Sequence, residues 1–246
     1  MQNTLGFSDL LRLIDERSAA FRAAIAAAPS LDVKVPTCPE WTLADLAQHI
    51  GDGRRVWAAT VAAGPATARA AGRNVPMPEQ RDELLAWLED ATTELLQALE
   101  AAGPDQGCWA WWTGSPHTAG AVARHQLQQL AVHTYDAQIT IGAEQPLPEE
   151  IALDGVDEFL RTCVTTTSPW PHEPATMAYH AAEGRSWWMR FDESGAHVVP
   201  QVAPTADCTA TASDLVLFMY GRYELSEMKT SGDRRVFERL IAWEPA

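Results

Sequence analysis

Two histidines and a stripe of polar side chains are the residues in this chain whose types and spacing could do chemistry. In "HQLQQLAVHTYDAQ", residues 125–138, Gln126, Gln129, His133 and Asp136 recur at steps of three, four and three. On a helix that spacing stacks all four on one face. A second histidine, His49, sits between Leu46 and Ile50, with Asp45 and Asp52 one turn away on either side. Imidazole nitrogens, an amide oxygen and carboxylates are donors for a divalent metal. One helix rarely aims three ligands at one point, so metal sites in bundles draw on facing helices. His49 from one helix with Gln129 and His133 from another gives three ligands and an open position, the arrangement of a catalytic zinc. The blander reading is a solvated polar face on one helix and a packing histidine on the other.

These residues need long helices to position them. Phe7, Leu10, Leu11, Ile14, Phe21 and Ile25 repeat at helical spacing and predict a first helix ending before Pro29. "DVKVPTCPEW" is punctuated by proline and reads as extended. Thr42, with Asp45 three residues on, looks like an N-cap and capping box. The helix it opens carries His49 and runs to about Val61. Pro65 to Pro78 is a connection, and "PEQRDELLAWLEDATTELLQALEAAG" is a third helix, with acids in its first turn and Gly103 as its stop. A fourth is expected from about Ala119 to Ile141. Four long helices predict a four-helix bundle over residues 1–145. If its stripe points inward, His133 and Gln129 are largely buried while Glu89 and Glu94 stay exposed.

"EQPLPEE" breaks the helical pattern and marks the expected boundary. After one more helix, near Glu149 to Cys163, come "ATMAYHAA", "SWWMRFD", "AHVVPQ" and "CTATA", short β-prone segments parted by turns. Two short helices, around Ser213–Gly221 and Asp233–Trp243, flank a last strand near Met228. That order predicts a small α+β domain over residues 146–246.

Composition narrows the function classes. With 46% hydrophobic and 21% charged residues the chain is an ordinary globular protein. A net charge of -15 argues against a nucleic-acid groove or an anionic membrane surface as partner. A local basic spot, Arg54-Arg55 or Arg234-Arg235, could still hold one anionic ligand. No apolar run approaches membrane length, and Asp9, Arg12, Asp15, Glu16 and Arg17 do not suit a signal peptide. Cys38, Cys108, Cys163 and Cys208 are far apart and form no CxxC pair, so they read as free thiols. A cytoplasmic protein is the default expectation.

"VPTCPEWTLADLAQHIGDGRRVW" resembles the N-terminal signature of the mycothiol-dependent maleylpyruvate isomerase family, and "AVHTYDAQ" its second signature on the last bundle helix. "LPEEIALDGVDEFL" is similar to the family's lead into its second domain, and the tail from "ADCTATASDLVLFMYGRYE" to its α+β domain. The resemblance implies a DinB-like four-helix bundle followed by a small α+β, sterol carrier protein-like domain. It also implies a divalent metal, usually zinc, held by His, Glu and His, and mycothiol or a similar thiol as cofactor or co-substrate. Carried over, the first His is His49 and the last is His133. The family Glu falls on Gln129 and the His before it on Gln128, so this sequence departs from the pattern at the metal. A neutral amide is a weaker donor than carboxylate and leaves the dication uncompensated. Asp52, on the same face as His49, could supply the missing charge, and Asp136 could serve as an outer partner of His133.

Trp109, Trp111 and Trp112 lie in a Gly- and Pro-rich loop before the fourth helix, where they either cap the bundle or wall a substrate pocket. Arg222 in "GRYE" matches a family position and could meet an anionic group; a helix C-terminal charge is the plainer reading. The expected function is a metal- and thiol-dependent isomerase or thiol S-transferase acting on a small electrophile. The alternative is a non-catalytic small-molecule-binding or regulatory protein with a degenerate metal site.

Overall fold

The computed structural model describes residues 5–245, so the outermost ends of the two expected domains, residues 1–4 and 246, lie outside the described residues. The chain forms two compact units. The first takes the residues up to Trp111 together with Pro116–Pro146, and the second takes Trp112–Ser115 and the residues from Leu147 onward.

The first unit is a four-helix bundle of α1 (Phe7–Ala27), α2 (Leu43–Ala63), α3 (Arg81–Ala102) and α4 (Ala119–Thr140). Each boundary has a local cause. Ala28 turns extended (ψ 139°) ahead of Pro29 and ends α1. Thr42 caps α2: its hydroxyl accepts from the Asp45 N–H at 3.2 Å, and its own N–H donates to the Asp45 carboxylate at 2.8 Å. Thr118 caps α4 through the Ala121 N–H. Gly103 ends α3 at φ 70°, a conformation that costs glycine little.

Phe21, Ile25, Leu43, Leu46, Leu84, Leu88 and Leu130 form one buried core across all four helices. Gly51 lets α2 and α3 approach closely, because a Cβ there would lie 1.9 Å from the Trp87 ring. Arg55 stacks over that same ring at 4.3 Å and donates to the Trp87 carbonyl at 2.9 Å. Helix α4 is buried around most of its circumference: Val122, Gln128, Leu130, Ala131, Tyr135 and Asp136 are all shielded. Of its polar stripe, Gln126 and Asp136 are buried, whereas Gln129 and His133, expected to be largely buried, are half-buried.

One element escaped the sequence reading. Within "DVKVPTCPEW", β1 (Lys34–Val35) and β2 (Cys38–Thr42) pair antiparallel as a small hairpin joining α1 to α2. A second difference is Glu94, expected in solvent. It is half-buried because it pairs with Arg55 and Arg73, whereas Glu89 is exposed as expected.

The second unit is α+β. Helix α5 (Glu149–Phe159) runs into a π-helical turn, Leu160–Val164. Strands β3 (Ala175–Ala181), β4 (Ser186–Asp192), β5 (Gly195–Val199), β6 (Ala206–Ala210) and β7 (Lys229–Gly232) form one sheet in the order β5-β4-β3-β6-β7. Only the β3–β6 pair is parallel, with Tyr179 opposite Cys208. Helices α6 (Ala212–Met219) and α7 (Arg235–Ile241) complete the unit. The last strand begins just after Met228, which follows a short 3-10 turn at Leu225–Glu227. No helix among the described residues is long and apolar enough to cross a membrane.

Candidate functional site

Helices α2 and α4 bring the two predicted histidines together. The His49 and His133 rings lie 5.2 Å apart, edge to face at 75°. Trp41, on β2, covers both, at 4.8 Å from His49 and 6.3 Å from His133. The hairpin is thus the third wall of the site.

His133 is oriented from behind. Its Nδ1 lies 2.9 Å from a carboxylate oxygen of Asp136, one turn along α4 and fully buried. The other Asp136 oxygen accepts from the Thr37 hydroxyl at 2.6 Å. A carboxylate on Nδ1 fixes the tautomer that leaves Nε2 as the donor atom, as in metal sites where an outer carboxylate orients a histidine. His49 remains open on its outer side. Loss of solvation, then the charge of His133, push its pKa down to about 4 against the opposing pull of Asp52. It is a neutral imidazole at neutral pH, the form that ligates metals.

A cavity of about 440 Å³ opens beside this pair, with His49, Asp52, Gln129 and Trp111 in its lining. Trp109 and Arg54 also line it. Trp109 packs against Trp57 at 6.1 Å, and His125 is set edge-on to both Trp57 and Trp111. Arg54 is buried, and its guanidinium donates to the Thr92 hydroxyl. Burial and the neighbouring Arg22 charge push Arg54 down to about 9, so it remains a cation, but a poorly solvated one.

The remaining predicted residues fall as follows. The Gln129 amide oxygen accepts from Gln126 Nε2 at 3.1 Å. Asp52 accepts from Gln48 at 3.4 Å. Trp112 is 2% exposed and belongs to the second unit; of the two adjacent tryptophans Trp111 is the one in the cavity lining. Arg222 also lies in the second unit, where its guanidinium donates to the Tyr220 carbonyl at 2.6 Å. Among the described residues no three His, Cys, Asp or Glu side chains converge as a metal site. What stands together is two imidazoles, with Asp136 behind one of them, while Gln129 lines the cavity with His49 and its amide oxygen is turned to Gln126. By donor chemistry a neutral set of this kind would suit a divalent cation only weakly.

Sequence reasoning missed Trp41, Thr37, His125 and Arg69, all of which belong to the site or its cavity. Trp41 and Thr37 lie inside "PTCPEW", and the two prolines around Thr37 hid the hairpin pairing that aims them. Of the Arg54-Arg55 spot, only Arg54 reaches the cavity; Arg55 is committed to Trp87 and Glu94.

Comparison with known proteins bears on this geometry. Residues 11–138 match the family model of the mycothiol maleylpyruvate isomerase N-terminal domain, and residues 150–239 match that of the same family's C-terminal domain. A crystal structure of the mycothiol-dependent maleylpyruvate isomerase superposes with a TM-score of 0.60 at 14% identity, covering 92% of this chain and 93% of that one. A histidine-to-alanine mutant of that enzyme superposes with a TM-score of 0.64 at 11% identity and the same coverage. No curated protein matches the sequence. Both units thus carry the family's fold, and because the first model alone spans more than half of its length, the chain belongs to the mycothiol maleylpyruvate isomerase family.

Proposed function

We propose that this protein is a mycothiol-dependent isomerase or S-transferase that acts on a small, carboxylate-bearing electrophile at the α2–α4 cavity. The observation that carries the reading is the His49–His133 pair at 5.2 Å, backed by Asp136 and set beside a cavity. His49, His133 and the Gln129 amide would hold a divalent metal, zinc by donor type. When bound, that ion supplies a lowered thiol pKa, so that thiolate is available near neutral pH.

The protein's own groups do the rest. Asp136 holds the Nδ1 proton of His133, and Thr37 holds Asp136. Trp41 covers the imidazole pair, while Trp109 and Trp111 offer flat apolar walls to the electrophile. Arg54 and Arg69 outweigh Asp52 in the lining, which suits a substrate carboxylate. Attack of thiolate on an activated double bond forms a C–S bond and an enolate. Rotation about the former double bond and expulsion of thiolate give the isomer. Protonation of the enolate instead leaves the thioether, which is conjugation.

The test is to purify the protein without a His-tag or chelator, measure bound metal, and follow maleylpyruvate with and without mycothiol. Thiol-dependent turnover that disappears in His49→Ala supports the reading. Metal-free protein without turnover overturns it. A second reading, a small-molecule-binding or regulatory protein, has one observation in its favour: Gln129 stands where the family has a carboxylate, and no acidic side chain among the described residues completes a metal site with the histidine pair. Under that reading mycothiol or the electrophile binds the metal-free protein and emerges unchanged.

A further inference from the structure

Arg54 stands in the wall of the α2–α4 cavity as a cation whose charge is not fully met. It is 4% exposed, yet it shares the lining with His49 and Gln129. One terminal nitrogen, Nη1, donates to the Thr92 hydroxyl on α3. The other, Nη2, is buried and has no hydrogen-bond partner among the described residues. Loss of solvation, then the charge of Arg22, weigh against the guanidinium, and Asp15 offsets them only in part. Of the charged residues in the lining only Arg54 is buried, since Asp52 and Arg69 are exposed. A buried charged donor without an acceptor is costly, and a carboxylate oxygen is the acceptor that suits a guanidinium best.

The histidine side of the same cavity has the opposite shortage. Two imidazoles and a neutral amide leave the charge of a dication uncompensated. Asp136 is engaged by His133 Nδ1 and Thr37, so it acts only through the histidine. Arg54 adds repulsion, because it follows His49 by five residues on α2, about 7.5 Å along the helix axis. At that range two partly buried charges still act on each other, with little screening by salt.

We propose, on the metal-dependent reading of this site, that the carboxylate of the electrophile, held by Arg54 Nη2, supplies the negative charge that Gln129 lacks, so that carboxylate and metal bind the cavity cooperatively. Each ligand alone enters beside an unmet charge. Together the anion lies between two cations, and the repulsion between metal and guanidinium is offset. Linkage then requires each ligand to raise the affinity of the other by the same factor.

The test uses the full chain and two probes of one skeleton. One is trans-but-2-enoate, a monocarboxylate; the other is trans-but-2-enamide, its uncharged counterpart. Zinc affinity is read by chelator competition at constant ionic strength. The carboxylate should raise it at least roughly fivefold, the low end of coupling between sites, and the amide should leave it unchanged. Calorimetry should show zinc raising but-2-enoate affinity by the same factor. In Arg54→Gln the gain should vanish, while zinc affinity without carboxylate should hold or rise because the repelling charge is gone. A merely structural role for Arg54 would lower it instead. The wild-type titrations decide the matter even if that variant folds poorly. Equal zinc affinity with and without but-2-enoate, an equal gain from the amide, or a gain that persists in Arg54→Gln overturns the cooperative site and leaves the metal-dependent reading standing. Absence of zinc binding under both conditions overturns both.

Discussion

His133 Nδ1 sits 2.9 Å from Asp136, a carboxylate with no exposed surface whose other oxygen is held by Thr37 at 2.6 Å. The loop between β1 and β2 and the C-terminal part of α4 thus meet on one carboxylate, and that carboxylate sets the histidine's tautomer. Asp136→Asn keeps the shape but removes the charge, and an amide can turn its N–H₂ toward Nδ1. The variant is expected to bind zinc roughly 10–100-fold more weakly, the usual size of an outer-partner effect. Thr37→Val should cost less. Competition with a chromophoric chelator reads both, and unchanged affinity in Asp136→Asn removes the relay from the site.

Gly51 couples packing to the site, two residues from His49 on α2. Its absent Cβ would stand 1.9 Å from the Trp87 ring, which is pinned by its Nε1–H bond to the Val75 carbonyl at 3.0 Å and by Arg55. Gly51→Ala must therefore push α2 away from α3. The expected loss of stability is about 1–3 kcal/mol, the range for overpacked cores. Urea denaturation measures it. Gly53→Ala is the control, since nothing lies within 4 Å of a Cβ there.

The cap of α2 gives a pH dependence with a definite sign. Asp45 is held below its ordinary 3.8 by the Thr42 hydroxyl and then by the Thr42 N–H. A carboxylate whose folded pKa is depressed stabilises the fold in full above its unfolded value. That contribution is lost as pH falls below 3.8 through the folded pKa. Thr42→Ala should cost about 1 kcal/mol at neutral pH, and the deficit relative to wild type should shrink in the acid window. A deficit that stays constant down to pH 2 would falsify the capping account.

The four helices and their stops were legible because their signals are local: proline after Ala28, Thr42 with Asp45, Gly103 at the end of α3. The histidine pair was legible for the same reason, since helical spacing fixes which face a residue joins. What sequence could not show was long-range. Thr37 and Asp136 are 99 residues apart in sequence and meet only through the hairpin, whose two-residue β1 is too short to carry a periodic signal. Adjacent tryptophans gave no hint that Trp111 would line a cavity while Trp112 joined the other unit. The parallel β3–β6 pairing, which sets Tyr179 opposite Cys208 in the sheet, likewise depends on a crossover that strand propensity does not encode.

On the proposed metal-binding reading, Gln129 would set how strongly the site holds a cation. It stands four residues before His133 on α4, so both occupy one face, and it lines the cavity with His49. Its amide oxygen is neutral and already accepts from Gln126. Gln129→Glu places an anionic oxygen at the same reach with almost no change in volume, so attraction to a dication rises while packing is preserved. The Gln126 N–H still has an acceptor, now a stronger one. Zinc affinity is expected to rise at least roughly tenfold, since a charge placed on the ion should exceed the effect of an outer partner. Asp52 is the competing source of charge, and its pairing with Gln48 is long at 3.4 Å, so it is free to swing. If it already serves the ion, the gain from Gln129→Glu appears only in an Asp52→Asn background. Chelator competition on the four proteins of this cycle separates the cases, and no gain in either background means that Gln129 does not face the metal.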